Sequence, residues 1–198
     1  MLTDNGEREG PRSTGRGESI FRRGRGREEY DAARPRFTRL KHAFSRIRRM
    51  KIEQVAWDNR DAFALRGRQR VEIAERYGTP DSEPGVPPSE ADIAVFFVAY
   101  EDDGSAVGCG GLRALGAGVG EIKRMYVAPE VRGTGVAARV LVALEEWARE
   151  RGWSRLRLET GDAQPDAVRF YTRSGYGPIP RFGHYADSDN SLCFERLL

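Results

Sequence analysis

A glycine-containing turn at residues 132–135 (Arg-Gly-Thr-Gly) is the stretch of this sequence best suited to bind a chemical group. It lies between an extended apolar segment that ends at Val127 and an amphipathic stretch that begins at Val136. Glycine adopts the positive φ angles of tight loops and lets a ligand approach the backbone closely. The unpaired N–H groups and the dipole at the start of the following helix attract anions. The turn therefore predicts a site for a phosphate group.

The spacing of residues in and after the turn indicates which phosphate-containing ligand it binds. The turn lacks the Gly-Lys-Ser/Thr ending of a nucleotide P-loop, and its two glycines do not complete the dinucleotide-binding fingerprint. Arg132-x-x-Gly135-x-Ala137 instead matches Gln/Arg-x-x-Gly-x-Gly/Ala, the signature of the acyl-CoA loop in the GCN5-related N-acetyltransferase (GNAT) superfamily. The turn thus resembles a site for the pyrophosphate of acetyl-CoA.

The neighbouring segments resemble the same family. Residues 121–127 (Glu-Ile-Lys-Arg-Met-Tyr-Val) are similar to its fourth strand, and residues 164–176, which end in Phe-Tyr-Thr-Arg-Ser-Gly-Tyr, are similar to its second CoA-side motif. Residues 178–194 resemble the tail of a bacterial branch of small members. The resemblance covers residues 51–198 in the expected order. It implies an α+β, GNAT-like acyl-CoA N-acyltransferase fold with a central mixed, mostly antiparallel sheet flanked by helices.

The resemblance also implies which residues contact acetyl-CoA. Backbone N–H groups of the turn and of the helix start would bind the pyrophosphate. The backbone at positions 125 and 127 would pair with the pantetheine arm like an added strand. Gln164 stands where many relatives have an asparagine that touches CoA, and its amide has a longer reach. The implied cofactor-binding residues are Met125, Val127, Arg132, Gly133, Thr134, Gly135, Val136, Ala137 and Gln164.

Acetyl transfer from a thioester to an amine needs a group that removes a proton from the amine and a group that protonates the departing thiolate. Tyr171 stands where the family has its general-acid tyrosine, and a phenol with a pKa of about 10 can donate a proton without prior ionisation. Glu121 stands where the histone-acetyltransferase branch has its glutamate base. Because Glu121 can equally pair with Lys123 or Arg124, His184 and ordered water stay alternatives for the base.

These residues predict an N-acetyltransferase that moves an acetyl group directly from acetyl-CoA to a primary amine in a ternary complex. A covalent intermediate is not indicated, because neither Cys109 nor Cys193 has a paired base in its local sequence. Both cysteines are expected to be buried, reduced thiols on strands. The predicted acceptor is a small molecule, with a protein or peptide amine as the alternative. A catalytically silent CoA-binding regulatory protein is the alternative from another class.

Charge is distributed unevenly along the 198 residues. Residues 1–49 hold 14 Lys or Arg and 7 Asp or Glu, whereas residues 50–198 hold 19 basic and 23 acidic residues. The first segment is also poor in apolar residues, which predicts a basic, disordered extension. It is an arm for a partner such as nucleic acid, an extension without a role, or a stretch that precedes the true start at Met50. The acidic remainder, the predicted acetyltransferase domain, favours a cationic amine over nucleic acid.

Several classes of protein are not indicated by the sequence. His42 and His184 are the only histidines, which leaves no metal-ligand spacing. No apolar run approaches membrane-spanning length. The start of the chain lacks the apolar stretch of a signal peptide, so a cytoplasmic location is expected. The oligomeric state stays open, a homodimer included.

The elements that must position the candidate residues follow from the hydrophobic pattern. Residues 61–77 predict a helix that ends at Gly78-Thr-Pro, and strands are predicted over residues 91–100, 106–112 and 154–160. The helix after the turn is expected to bury one face. That face comprises Val136, Val140, Leu141, Leu144, Trp147 and Ala148. The acceptor pocket is expected between the first helix and two loops, at residues 81–90 and 178–190.

Overall fold

Seven strands and three α-helices form the part of the chain that the structure, a computed structural model, describes: residues 50–80 and 82–198. The strands are β1 (Lys51–Val55), β2 (Ile93–Tyr100), β3 (Ala106–Gly116), β4 (Val119–Val127), β5 (Arg155–Gly161), β6 (Gly177–Ile179) and β7 (Ser191–Leu197). The helices are α1 (Arg60–Tyr77), α2 (Val136–Glu150) and α3 (Pro165–Arg173), with short 3-10 helices at Pro129–Val131 and Gly183–Tyr185. The predicted extension 1–49 lies outside the described residues and stays a prediction.

The strands form one sheet in the order β1-β2-β3-β4-β5-β7-β6. The β4–β5 pair is parallel, and the other neighbouring strands are antiparallel. A mixed, mostly antiparallel sheet with flanking helices was the predicted architecture, and it is confirmed. β3 extends beyond the predicted end at Leu112 because its pairing with β4 continues as far as Gly116.

Strand β2 is apolar almost throughout because helices cover both faces of the sheet at this point. Successive side chains of a strand point to opposite faces. Phe96 and Val98 pack in a cluster with Ala62 and Leu65 of α1. The alternate residues of β2 pack on the other face, in the larger cluster that contains α2 and α3. The predicted buried face of α2 is confirmed, with Trp147 only partly buried.

A cleft opens in the sheet where β4 and β5 separate. Their parallel ladder runs from Val119 to Ile122 of β4, so residues 123–127 pair with β3 alone. A β-bulge interrupts that remaining ladder, since Gly110 of β3 faces both Arg124 and Met125. Arg124 adopts a φ of 53°, a left-handed conformation that is uncommon for a residue other than glycine. The bulge changes the direction of the side chains next to the cleft.

Candidate active site

The predicted turn lines a cavity of about 550 Å³, here called the turn cavity. The wall of the turn cavity is formed by α1, β4, the turn, the start of α2 and one side of α3. It includes every predicted cofactor-binding residue except Thr134, namely Met125, Val127, Arg132, Gly133, Gly135, Val136, Ala137 and Gln164. The Thr134 hydroxyl instead donates a hydrogen bond to the Val131 carbonyl at 2.7 Å. The structure therefore brings together residues that are up to 39 positions apart in the sequence.

The geometry of the turn fits a phosphate group. Gly133 and Gly135 have φ angles of 78° and 93°, which glycine adopts at little cost. A Cβ atom added to either glycine would have no heavy atom of the protein within 4 Å. Gly135 caps α2 without a side-chain hydrogen bond, so no side chain of the cap residue occupies the first N–H groups of α2. This arrangement of backbone donors suits the pyrophosphate of CoA.

Two side chains hold the free edge of β4 beside the turn cavity. Gln69 of α1 donates its amide N–H to the Met125 carbonyl at 3.1 Å. Arg132 donates to the Val127 carbonyl at 3.0 Å and forms an ion pair with Glu72. These contacts mark the edge at which the sequence predicts pairing with pantetheine, and that pairing stays a prediction.

A second cavity of about 320 Å³ adjoins the first and is here called the charged cavity. Its wall includes four charged side chains, from Glu83, Lys123, Arg124 and Glu159. Residues of α1 and of the segments around 79–83 and 188–191 complete the wall. These are the helix and the two loops from which the sequence predicts the acceptor pocket.

Tyr171 lies at the junction of the two cavities and lines both of them. It is 5% exposed, and its ring packs against Phe170 and Tyr176 at centroid distances of 5.1 and 5.6 Å. Burial raises the pKa of its hydroxyl above the usual value, because the charged form loses solvation. The phenol therefore keeps its proton at neutral pH, as a general acid must.

Glu121, the predicted base, lies behind the wall of the charged cavity. It is 2% exposed. The Tyr185 hydroxyl donates a hydrogen bond to its carboxylate at 2.6 Å, and the Lys123 Nζ atom lies 3.4 Å away. A guanidinium nitrogen of Arg113 lies 3.7 Å from the other carboxylate oxygen. Burial raises the pKa of Glu121, and the hydrogen bond from Tyr185 opposes that change. The route from Glu121 to the cavity therefore passes through Tyr185 or Lys123.

Glu159 is a carboxylate on the cavity wall that sequence reasoning missed. It lies on β5 and accepts a hydrogen bond from the Ser191 hydroxyl at 2.7 Å. Burial raises its pKa, while Ser191 and the cations Lys123 and Arg124 lower it. The alternation in β5 could have indicated it, because Leu156 and Leu158 fill the core and leave Glu159 on the other face.

His184, the alternative base, lies outside both cavity walls. Its exposed side chain instead covers Gly85, where an added Cβ would lie 2.6 Å from the His184 ring. The adjacent Tyr185 is the buried residue of this loop and donates to Glu121. The role of His184 as the base stays a prediction.

Both cysteines are free and buried, as predicted. Burial raises the pKa of Cys109 to about 12, which makes its thiolate scarce at neutral pH. Among residues 50–80 and 82–198, no three His, Cys, Asp or Glu side chains are grouped as ligands for a metal ion. No helix in these same residues combines the length and the apolar character needed to cross a membrane.

Known proteins resemble this chain in sequence and in fold. Over 105 residues it is 37% identical to the IAA acetyltransferase of Azospirillum brasilense, a match that covers 52% of this chain and 69% of the relative. Over 58 residues it is 40% identical to the aminoalkylphosphonate N-acetyltransferase of Salmonella typhimurium, covering 29% of this chain and 38% of the relative.

A solved structure and a family model cover more of the chain. The structure, assigned as an acyl-CoA N-acyltransferase from Klebsiella pneumoniae, is similar with a TM-score of 0.65 at 31% identity, covering 76% of this chain and 98% of that one. The model of the acetyltransferase (GNAT) family matches residues 50–176. With the turn, the cleft and the sheet in the expected places, the chain belongs to the GNAT family of N-acetyltransferases.

Proposed function

We propose that the enzyme transfers the acetyl group of acetyl-CoA directly to a primary amine of a small molecule, with both substrates bound at once. The observation that carries this proposal is the continuity of the two cavities. They share Gln69, Ile73, Met125, Gln164, Ala167 and Tyr171 as wall residues. A donor bound at the turn and an acceptor in the charged cavity would therefore meet beside Tyr171. Such a shared cleft supports direct transfer over transfer through a covalent enzyme intermediate.

The turn cavity is assigned to the donor. Acetyl-CoA supplies an activated thioester, and its pyrophosphate matches the free N–H groups at the start of α2. Residues Met125 and Val127 on the open edge of β4 are proposed to align the pantetheine arm. Gln164 lines both cavities, which supports a contact between its amide and the arm near the thioester.

The proton transfers are assigned to two groups that face the cleft. Glu159 removes a proton from the ammonium form of the acceptor, and its raised pKa makes it a better base than an ordinary carboxylate. The free amine then attacks the thioester carbonyl, and the carbon–sulfur bond breaks as the carbon–nitrogen bond is completed. Tyr171 gives its proton to the departing thiolate, and the second proton that the attacking nitrogen loses reaches the Tyr171 oxygen through water and restores the phenol. The desolvation that raises the phenol's pKa also raises that of the thiolate, which helps the transfer.

Glu121 is retained in the proposal as an indirect proton acceptor. Its hydrogen bond with Tyr185 and its proximity to Lys123 connect it with the charged cavity. A proton from the acceptor reaches Glu121 only by a relay through one of these two groups or through water. Removal of the Glu159 carboxylate therefore tests which of the two glutamates is the base.

The volume of the charged cavity and the segments that enclose it favour a small acceptor over a protein. Its volume of about 320 Å³ is at the low end for small-molecule sites. The segments around residues 79–83 and 188–191 contribute to its wall, which leaves little room for a folded partner. The similarity to an enzyme named aminoalkylphosphonate N-acetyltransferase supports the same class of acceptor.

An acetyl-transfer screen tests the proposed function. The full chain is incubated with acetyl-CoA and a panel of amines, amino acids and peptides, and free CoA thiol and acetylated product are measured. Small amines are expected to give both, with intersecting initial-velocity plots that indicate a ternary complex. Preferential acetylation of peptides would replace the small-molecule assignment. Tight binding of acetyl-CoA without product from any acceptor would identify a CoA-binding regulatory protein instead.

A further inference from the structure

We propose that the acceptor carries a compact anionic group, a carboxylate or phosphonate, beside its amine, and that this group binds Lys123 and Arg124 in place of Glu83. The inference rests on the proposed function, because it names the class of amine that the charged cavity selects. Its basis is the arrangement of two cations and two carboxylates around that cavity.

The first observation is that two consecutive residues of one strand line the same cavity. Side chains of neighbouring residues in a regular strand point to opposite faces. Lys123 and Arg124 nevertheless both line the charged cavity, because the bulge gives Arg124 a φ of 53°. A left-handed conformation is strained for arginine and persists where the surrounding structure imposes it, often at functional sites. Here it aims a second cation at the same point in space.

The second observation is that a single carboxylate already bridges these two cations. One oxygen of Glu83 forms a short ion pair with Lys123, and the other oxygen lies 3.1 Å from a guanidinium nitrogen of Arg124. Glu83 thus shows the geometry in which the pair holds a small anion. A free carboxylate or phosphonate presents equivalent oxygens to the same donors.

The third observation is that Lys123 has partners besides Glu83 and that the Arg124 backbone belongs to β4, whereas Glu83 is not held by regular structure. Lys123 also donates to the Tyr185 hydroxyl at 2.7 Å and lies 3.4 Å from Glu121. The Arg124 backbone carbonyl accepts a weak hydrogen bond from Cys109 at 3.5 Å. Glu83 belongs to the irregular connection between α1 and β2. When a ligand's carboxylate replaces that of Glu83, Lys123 therefore keeps its contacts with Tyr185 and Glu121, and the backbone of Arg124 stays on β4.

The opposite end of the proposed acceptor has a matching partner. Glu159 lines the same cavity and can hold an ammonium group before it removes the proton. The cavity therefore offers two cations for an anion and one carboxylate for an amine, which complements a zwitterion. An alkylamine without an anionic group would leave the two cations to Glu83 and gain nothing from them.

The test compares acceptors that differ only in the anionic group. Acetyl transfer to β-alanine and 2-aminoethylphosphonate is measured against 3-aminopropanamide and propylamine, by release of CoA thiol. Because a hydrogen bond to a charged group contributes roughly 1.5–3 kcal/mol, kcat/KM for the anionic acceptors should be at least about tenfold higher. Propionate should inhibit competitively against the acceptor, and propionamide should not.

Variants assign this preference to the cation pair. Arg124→Gln and Lys123→Gln should each remove most of the preference for anionic acceptors. Arg155→Gln is the matched control. Arg155 begins β5, forms an ion pair with Glu195 and lies outside both cavity walls. This variant should leave the preference for anionic acceptors unchanged. Glu83→Gln keeps both cations and removes the internal competitor, so it should lower KM for β-alanine several-fold. A purely structural Glu83 would raise KM instead.

The outcomes separate this inference from the proposed function. Acetylation of propylamine as efficient as that of β-alanine overturns the anionic acceptor and leaves acetyl transfer intact. A loss of activity in Arg124→Gln that is equal for both kinds of acceptor also overturns it. Binding of acetyl-CoA without transfer to any of the four acceptors or to the wider panel overturns the proposed function itself.

Discussion

The two cavities that meet at Tyr171 present different kinds of groups to a ligand. The turn cavity presents the backbone N–H groups and glycines of one short stretch, the turn and the start of α2, beside side chains of α1, β4 and α3. The charged cavity presents side chains from β4, β5 and two irregular segments. A binding site made of backbone groups suits the substrate that stays the same, here acetyl-CoA, because mutations of the protein's side chains leave such a site intact. A site made of side chains from loops can change its acceptor while the donor stays the same.

The largest effect is expected from a side chain placed on the turn. Gly135→Val should weaken acetyl-CoA binding about 1,000-fold, because the side chain would occupy the ligand's space and cost about two charge-assisted hydrogen bonds. Isothermal titration with acetyl-CoA measures the loss. Gly104→Val is the matched control, since Gly104 has a similar φ of 82° and open space around its Cβ position. Both variants should lose similar thermal stability, and unchanged acetyl-CoA affinity in Gly135→Val would disprove the backbone site.

Tyr171→Phe should lower kcat about 100-fold, the low end of general-acid contributions. Acetyl-CoA affinity should be unchanged, because the ring still packs against Phe170 and Tyr176. Pre-steady-state thiol release and titration separate these two quantities. Tyr176→Phe removes a hydroxyl that donates to Glu145 at 3.1 Å and should reduce stability while kcat is kept. Equal kcat values for Tyr171→Phe and the parent enzyme would leave Tyr171 with a packing role only.

The contrast between the cavities also explains what the sequence could predict. The turn signature, the glycines and the start of α2 are local features, so their role follows from neighbouring residues. The network around Lys123 includes Glu83, which precedes it by 40 positions, and Tyr185, which follows it by 62 positions. Such contacts depend on how loops fold back over the sheet, which periodicity does not encode. The strands and helices were predictable because alternation and helical spacing report burial. Alternation places Glu159 on the face of β5 opposite the core, but it does not distinguish Glu159 from Arg155 and Arg157 on that face.

The two glutamates give the next effect in size. Glu159→Gln should lower kcat/KM about 30-fold, below the usual range for a lost general base because water in the open cavity can take the proton. In the parent enzyme, activity should fall as pH drops through the pKa of Glu159, which burial has raised above the usual carboxylate range. This fall at low pH, the acid limb of the pH profile of kcat/KM, should be absent in Glu159→Gln. If the limb disappears in Glu121→Gln and survives in Glu159→Gln, the base is Glu121.

The smallest effect tests the environment of the base rather than its identity. Ser191 donates a hydrogen bond to Glu159 at 2.7 Å, which stabilises the ionised carboxylate and lowers its pKa. Ser191→Ala removes that bond, so the pKa of Glu159 should rise and the acid limb of kcat/KM should move upward by about one pH unit. Activity at high pH should fall only a few-fold. Ser188→Ala is the control, because it removes the hydroxyl that lies 3.0 Å from that of Ser191. In this variant the acid limb of kcat/KM should stay within a few tenths of a pH unit of its position in the parent enzyme. A shift to lower pH in Ser191→Ala would contradict the assignment, because loss of a donor cannot stabilise the charged form of Glu159.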